Sequence, residues 1–517
     1  MSIALWLAPL GFPTIVRTPK NSIFELLIVD WTIDFRVLTK SVSFSRMAEQ
    51  EAESENELSV LMIGIDSVSR LNFLRALPRT AALLADDGWI DLAGYNKIGD
   101  NTLPNLMAIL TGKSLDQIRR ECFRHQFEPF DNCTFIWRNF SRHGYITAYA
   151  EDEPSISSWN FQKAGFRHVP TDYYIRPLIL AATNNLKVTK RDSLSLCLGP
   201  SLAAEHILQY ASNIANLLQN HKYFGLFWMN SLSHNNVNTP SALDDPMFRF
   251  WRSLINSDAL KKTMVIFLSD HGMRSGNYRV KSPLGWYEER LPFIYVRLPD
   301  AFKAANPGVV NALRINANRL TTPWDLHITL ADVLRRASVG KSVSKEDPVN
   351  LVSQACPSCR SLFSPVQFDR SCDMVNITRH YCTCVEYKDV SVNDPVVKRG
   401  VKFVIDSVHA IIAKHHKHVK SGYKCAHYKL HKVLQARSAS NIASFPSANF
   451  VNTSRTVTDY LLSIEVMPLH AVFEATVQYA NDEFEIGTEI SRLTSYYGHD
   501  TCVTLDYLKL YCSCLKA

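Results

Sequence analysis

Asp66 closes the run LSVLMIGID, and the adjacent pair Asp270 and His271 closes TMVIFLSDH. Two carboxylates and an imidazole, each delivered at the end of an apolar run, make a ligand set for one divalent cation such as zinc or manganese. Thr102, in NTLPNLMAILTG, precedes a proline and an apolar run at helical spacing. Its hydroxyl is therefore expected at a helix N-terminus, where free N–H groups and the helix dipole favour a bound anion. A hydroxyl held by a cation loses its proton more readily and is a nucleophile at neutral pH. Taken singly, Thr102 reads as an N-cap and Asp66 as a cap for the helix that follows it; their occurrence together with Asp270 and His271 favours the site. His234 is a candidate proton donor to a leaving group, against the alternative of a hydrogen-bonded loop histidine. Arg70 and Asn230 are candidate substrate contacts, although an arginine four residues past a strand also suits a helix surface. Glu151 and Asp152 read as solvated carboxylates.

Positioning these residues requires a sheet. LSVLMIGID, GYITAYAED, KYFGLFWMN, TMVIFLSD and LPFIYVRL read as buried parallel strands. Amphipathic segments separate them, the clearest being SLAAEHILQYASNIANLLQ at 201–219. This alternation predicts a doubly wound, mostly parallel α/β sheet, with its ligands at the carboxyl ends of the strands.

A chain of 517 residues with 46% apolar content has material for a large core and an added module. The formal charge of +7 is too small for a nucleic-acid-binding composition, which excludes that class. Most of the 12 cysteines fall late, at Cys356, Cys359, Cys372, Cys382, Cys384, Cys425, Cys502, Cys512 and Cys514. CDMVNITRHYCTC and CVTLDYLKLYCSC share a C-x9-C-x-C spacing that reads as a weak repeat. C-x-C is not the usual zinc knuckle, so disulfides in an oxidising compartment are expected. Sequons at Asn132, Asn139, Asn376 and Asn452 agree. The expected organisation is a lead-in at 1–57 that reads as a truncated signal or anchor region, an α/β catalytic domain at 58–340, a linker at 341–371 and a Cys-rich, disulfide-stapled domain at 372–517. No membrane-spanning helix is expected, because the apolar stretches are short or carry acids. The basic run KHHKHVKSGYKCAHYKLHKVLQAR at 414–437 suits anionic glycan or lipid headgroups, and otherwise a solvated face.

The motif T-L-P-N, followed by seven residues ending in T-G, resembles the nucleophile segment of nucleotide pyrophosphatase/phosphodiesterases. S-D-H-G-M is similar to their second metal motif. The order Asp66, Thr102, His234, Asp270–His271 follows that of the alkaline phosphatase/sulfatase superfamily, and the resemblance covers about residues 58–335. GIDSVSRLNFLRALPRT, GFRHVPTDYYIRP and TTPWDLHITLADVL are similar to a large metazoan family of this superfamily known only as a domain of unknown function. The resemblance implies an alkaline phosphatase-like fold and Thr102 as nucleophile, with Asp66, Thr102, Asp270 and His271 on one metal. Two-metal relatives carry Asp where this chain has Asn230, and GWYEERLP offers Glu288 and Glu289 where a further histidine is expected; His327 reads as structural. One intact metal site resembles the phosphoethanolamine and glycerophosphate transferases of the superfamily. The sulfatase pattern C/S-x-P-x-R is not met, since Leu106 stands where the Arg would be.

These readings converge on a secreted or secretory-lumen hydrolase or transferase acting on a phosphoester, with a phosphodiester favoured. The expected substrates are phosphorylated small molecules, lipid headgroups or glycans, and association with a membrane surface stays open. The alternative is a noncatalytic extracellular binding protein that keeps the fold.

Overall fold

The computed structural model describes residues 14–17, 23–29, 32–36, 57–338, 351–442, 456–494 and 498–517. The acidic lead-in Met47–Glu57 and the segment ASVGKSVSKED lie almost wholly outside these residues, and Asn452 lies outside them entirely. The chain divides into two compact units, one of residues 1–273 and 291–370, the other of 274–290 and 371–517.

The first unit opens with β1 (Thr14–Arg17), β2 (Ile23–Val29) and β3 (Thr32–Arg36), paired antiparallel. Its central sheet contains β4 (Ser59–Ile65), β5 (Ile90–Asp91), β6 (Ile146–Glu151) and β7 (Tyr173–Tyr174). After a small sheet of β8 (Val188–Arg191), β9 (Leu194–Leu198) and β10 (Ser201–Leu202) come three more central strands, β11 (Tyr223–Met229), β12 (Thr263–Leu268) and β13 (Ile294–Arg297). The order across the central sheet is β5-β13-β12-β4-β11-β6-β7. β12, β4, β11, β6 and β7 run parallel, as expected from their unbroken apolar sequences. β13 corrects the reading of LPFIYVRL: it pairs antiparallel with both β12 and β5. Its buried apolar pattern is the same in either direction, so the sequence carried no directional signal.

Both faces of the sheet are covered, and β4 shows how. Leu61, Ile63 and Ile65 enter one apolar core with the helix Ala203–Leu217, while Val60 and Met62 enter the other with the helices Thr102–Thr111 and Pro323–Ala337. Each such side chain contributes about 1.5–3 kcal/mol on burial. Gly64 lies opposite Trp228 on β11, and a Cβ there would come within 1.9 Å of the indole ring. The two strands pack closely only because that side chain is missing.

The expected linker 341–371 is, over residues 351–370, part of this unit. Arg370 forms a two-pronged pair with Asp325 at 2.8 and 2.9 Å, Leu362 N–H donates to Thr329, and Leu362, Phe363 and Val366 are buried in the core. A disulfide joins Cys122 to Cys133 and another Cys356 to Cys359.

The second unit is built on the antiparallel sheet of β14 (Lys388–Asp389), β16 (Lys429–Ile442), β17 (Thr456–Met467), β18 (Ala471–Ala480) and β19 (Glu483–Arg492), with β15 (Tyr423–Cys425) and β20 (Cys514–Lys516) forming a separate pair. The helix Pro395–Lys414 starts on Asp394, whose carboxylate accepts from the N–H groups of Val396 and Val397. Val397, Val401, Val404 and Val408 recur at helical spacing and share a core with Leu462 and Ile464. Segment 274–290, expected inside the α/β domain, belongs to this second unit. Arg279 and Arg290 are buried there against Glu474, at 2.6 and 3.1 Å. Burial alone would raise the Glu474 pKa; the two guanidinium charges outweigh it and hold the carboxyl at about 2.

Disulfides replace the zinc alternative, but the repeat is not one of pairing. Cys372 pairs with Cys382, whereas Cys502 pairs with Cys514 and Cys512 with Cys425. Cys197 and Cys384 are free thiols. The sequon residues Asn132, Asn139 and Asn376 are exposed. Among the described residues no helix is long and apolar enough to cross a membrane.

Candidate metal and nucleophile centre

The parallel pairing of β4 with β12 sets Gly64 opposite Leu268. Asp66 and Asp270 each follow two residues later, so the register delivers both carboxylates side by side at the same sheet edge. Asp66, Asp270 and His271 are each 1% exposed, and one ligand atom from each lies within 4.8 Å of the others.

Local hydrogen bonds aim these groups. Ser67 adopts a left-handed conformation with φ of 60°, an uncommon choice for a residue with a Cβ. That turn places its N–H 3.2 Å from Asp270 Oδ1 and its hydroxyl 3.0 Å from Asp66 Oδ1. Asp270 Oδ1 also accepts from the His271 N–H at 2.9 Å, which leaves Asp270 Oδ2 buried without a hydrogen-bond partner. His271 Nδ1 lies 2.8 Å from the Gly272 carbonyl, an acceptor only, so Nδ1 carries the proton. Nε2 then turns its lone pair inward, 3.2 Å from Asp270 Oδ2 and 3.7 Å from Asp66 Oδ1. Three electron-rich atoms converging in a site closed to water repel one another unless a positive charge joins them. The residues fit a divalent cation, including the carbonyl that fixes the imidazole of a ligating histidine.

Thr102 is the first residue of the helix Thr102–Thr111, and Asn101 precedes it as N-cap without a side-chain bond. The threonine is thus not the cap. Its Oγ1 lies 3.3 Å from Asp66 Oδ1 and 3.5 Å from His271 Nε2, on the half-buried side of the cluster. Ser69, accepting from Asn72 N–H, caps the helix after β4, which removes the capping role considered for Asp66.

Two residues unremarked in the sequence hold the loop that ends at Thr102. Asn105 is fully buried; its Oδ1 accepts from Ile98 N–H at 2.9 Å, and its Nδ2 donates to the carbonyls of Gly99 and Asn101 at 3.0 and 2.9 Å. Lys97, also buried, donates to the Asp100 carbonyl at 3.0 Å. The signal available for Asn105 was its place one turn after Thr102 in T-L-P-N.

The remaining candidates are placed elsewhere. Arg70 is paired through Nε and its terminal nitrogen with Asp91 at 2.8 and 2.7 Å, the helix-surface alternative. Asn230 is buried and its amide donates to Glu151 Oε2 at 2.8 Å, so that group is committed within the protein. Glu151 and Asp152 correct the reading of solvated carboxylates: both are buried. Glu151 also accepts from Ser158 N–H and from the Tyr149 hydroxyl, and Asp152 accepts from the N–H groups of Asn230 and Ser231. Burial raises both acids, Asp152 to about 7 despite those bonds. His234 is half-buried on the turn after β11 with Nδ1 2.7 Å from Asn235 Oδ1, and is not one of the clustered ligands. His327 Nδ1 bonds the Ile109 carbonyl at 2.9 Å, and burial lowers its pKa to about 4, in keeping with a packing role. Glu288 and Glu289 lie in the second unit, where Tyr278 donates to Glu288 and Glu289 pairs with Arg279 and Arg290.

A doubly covered α/β sheet with acids at its strand ends and a threonine at a helix start defines the class of this protein. The chain matches the family described as "Protein of unknown function (DUF229)" over residues 32–434, and it belongs to that family. No curated protein matches it in sequence. Solved structures with which it shares similarity include the C-terminal periplasmic domain of EcEptC from Escherichia coli, at 12% identity over 62% of this chain and 90% of that one, TM-score 0.38. Another is a protein of the alkaline phosphatase superfamily from Vibrio parahaemolyticus, at 11% identity over 84% and 82%, TM-score 0.38. A third is the soluble domain of lipooligosaccharide phosphoethanolamine transferase A from Neisseria meningitidis, at 12% identity over 55% and 90%, TM-score 0.36. At these values none of them assigns an activity to this chain.

Proposed function

We propose that this protein is a metal-dependent hydrolase or transferase of phosphoesters, favouring diesters, with Thr102 as nucleophile. The carrying observation is the convergence of Thr102 Oγ1 with Asp66, Asp270 and His271, an oxygen and nitrogen set with an orphaned buried carboxylate oxygen. Asp66, Asp270 and the Nε2 of His271 would hold one divalent cation, zinc or manganese in character, with Thr102 Oγ1 as a further ligand. When bound, that ion makes the hydroxyl more acidic and neutralises charge on a nonbridging phosphoryl oxygen.

The Thr102 hydroxyl donates to Asp66 Oδ1, the carboxylate that would take up its proton as the oxygen attacks phosphorus. A bond forms from Oγ1 to phosphorus as the bond to the leaving alcohol breaks, and His234 is the candidate donor of the proton that alcohol takes up. The phosphothreonine is then resolved by water or an acceptor hydroxyl. The free N–H groups of the first helical turn support the phosphoryl oxygens. Commitment of Asn230 to Glu151 favours one metal over two. The same observation favours a second reading, a binding protein whose chemistry has been lost. Five disulfides support an oxidising compartment for either reading, and hence a secreted or lumenal protein.

The test is turnover of nitrophenyl mono- and diesters by native protein and Thr102→Ala, with acid-quench mass spectrometry for a phosphoryl group on residue 102. Abolished turnover in a folded variant, and a phosphorylated native peptide, are expected. Activity retained in Thr102→Ala overturns the mechanism, and metal-loaded native protein inert to every ester leaves the binding reading.

A further inference from the structure

We propose a second transition-metal site, on the disulfide-stapled unit, formed by His431, Glu465 and His470. It does not rest on the reading of Thr102, and it shares no residue with that site. One ligand atom from each of the three lies within 4.8 Å of the others. His470 Nδ1 is 2.6 Å from Glu465 Oε1, and the His431 and His470 rings stand nearly perpendicular, at 87°, with centroids 5.3 Å apart.

The backbone builds this meeting from three places. Glu465 is on β17, opposite Lys432 of β16. His431 is the extra residue of a register shift between Leu430 and Lys432, and a bulge of that kind re-aims one side chain out of the alternating pattern. His470 lies in the turn joining β17 to β18, where Leu469 and His470 both have positive φ, at 74° and 49°. The turn carries the imidazole back over Glu465, the carboxylate five residues earlier.

A single exposed His–Glu contact is worth little, about 0–1 kcal/mol. What distinguishes this cluster is the third donor. Two imidazoles and one carboxylate are a common set for zinc with a water in the fourth position, whereas calcium and magnesium select all-oxygen sets. His431 and His470 are exposed and Glu465 half-buried, so a cation and its water reach the site from solvent. The basic run at 414–437 thus divides: its lysines decorate a solvated surface, while His431 serves a metal.

Zinc is titrated by equilibrium dialysis into the full-length protein carrying Asp270→Ala, which removes the first centre. The expected result is about one bound equivalent, with affinity lowered by roughly 100-fold or more when His431→Ala or His470→Ala is added, since even outer partners of metal ligands are worth 10–100-fold. These side chains are exposed, and near-ultraviolet dichroism reports whether each variant keeps its fold. No zinc above background in Asp270→Ala, or binding indifferent to both histidine substitutions, overturns the site. Failure of the first centre appears separately, as native protein holding no more zinc than Asp270→Ala.

Discussion

Asn105→Ala tests whether Thr102, the proposed nucleophile, is positioned by its own helix. The native amide makes three hydrogen bonds, the one to Gly99 buried and those to Ile98 and Asn101 part-buried, and all three lie in the loop that ends at Thr102. At about 1 kcal/mol net for each, their loss costs about 3 kcal/mol, with one N–H and two carbonyls left without their partner. The loop then relaxes, and a displacement of Oγ1 by about 1 Å slows the chemical step roughly 100-fold. Urea denaturation gives the first quantity from the shift in midpoint at constant slope. Single-turnover phosphorylation of Thr102 gives the second. Asn105→Asp keeps the acceptor for Ile98 N–H but faces two carbonyls with an oxygen, so it is expected to recover little. A stability loss under about 1 kcal/mol together with an unchanged rate refutes the reasoning, because a buried residue with three partners cannot then be holding the loop.

Glu474 ties acid stability to the second unit. Its carboxyl is held at about 2, below its ordinary 4.5, so its contribution is full above pH 4.5 and is lost as pH falls toward 2. The window is worth about 3 kcal/mol, and Glu474→Gln is expected to remove it while leaving Glu289 as the one carboxylate against two buried guanidinium groups, seen as a lower urea midpoint at neutral pH. Asp152 acts in the opposite sense. Raised to about 7 from 3.8, it binds a proton more tightly when folded, so its contribution falls as pH rises from about 4 through 7. Asp152→Asn is expected to gain stability relative to native protein between pH 5 and 8, and a constant difference across paired melts at those pH values refutes the assignment. For Gly64→Ala, with a Cβ 1.9 Å from the Trp228 ring, loss of soluble folded protein is expected on size-exclusion chromatography.

The strand ends were legible because a parallel sheet buried on both faces writes itself as unbroken apolar runs, and an acid closing such a run stands out. Asp66, Asp270 and His271 were found that way, and their meeting then follows from register. Thr102 was legible as a helix start. The direction of β13 was not, since a buried strand reads the same parallel or antiparallel. Glu151 and Asp152 looked solvated because an acid after a strand gives no hint of the Ser158, Asn230 and Ser231 donors that satisfy it. Pairing was hidden in the two C-x9-C-x-C segments, where identical spacing leads to different partners. The placement of 274–290 depends on Glu474, far along the chain, and no local pattern reaches that distance.

That last placement also bears on how the molecule is made. Residues 274–290 leave the ribosome between two hydrogen-bonded neighbours of the central sheet, β12 and β13. Their buried arginines meet Glu474 only 195 and 184 residues later. Within the segment Glu289 pairs with both arginines, so until residue 474 is made one carboxylate serves two guanidinium groups. The second counter-charge therefore comes with Glu474 of the other unit's sheet, and not with completion of the α/β sheet.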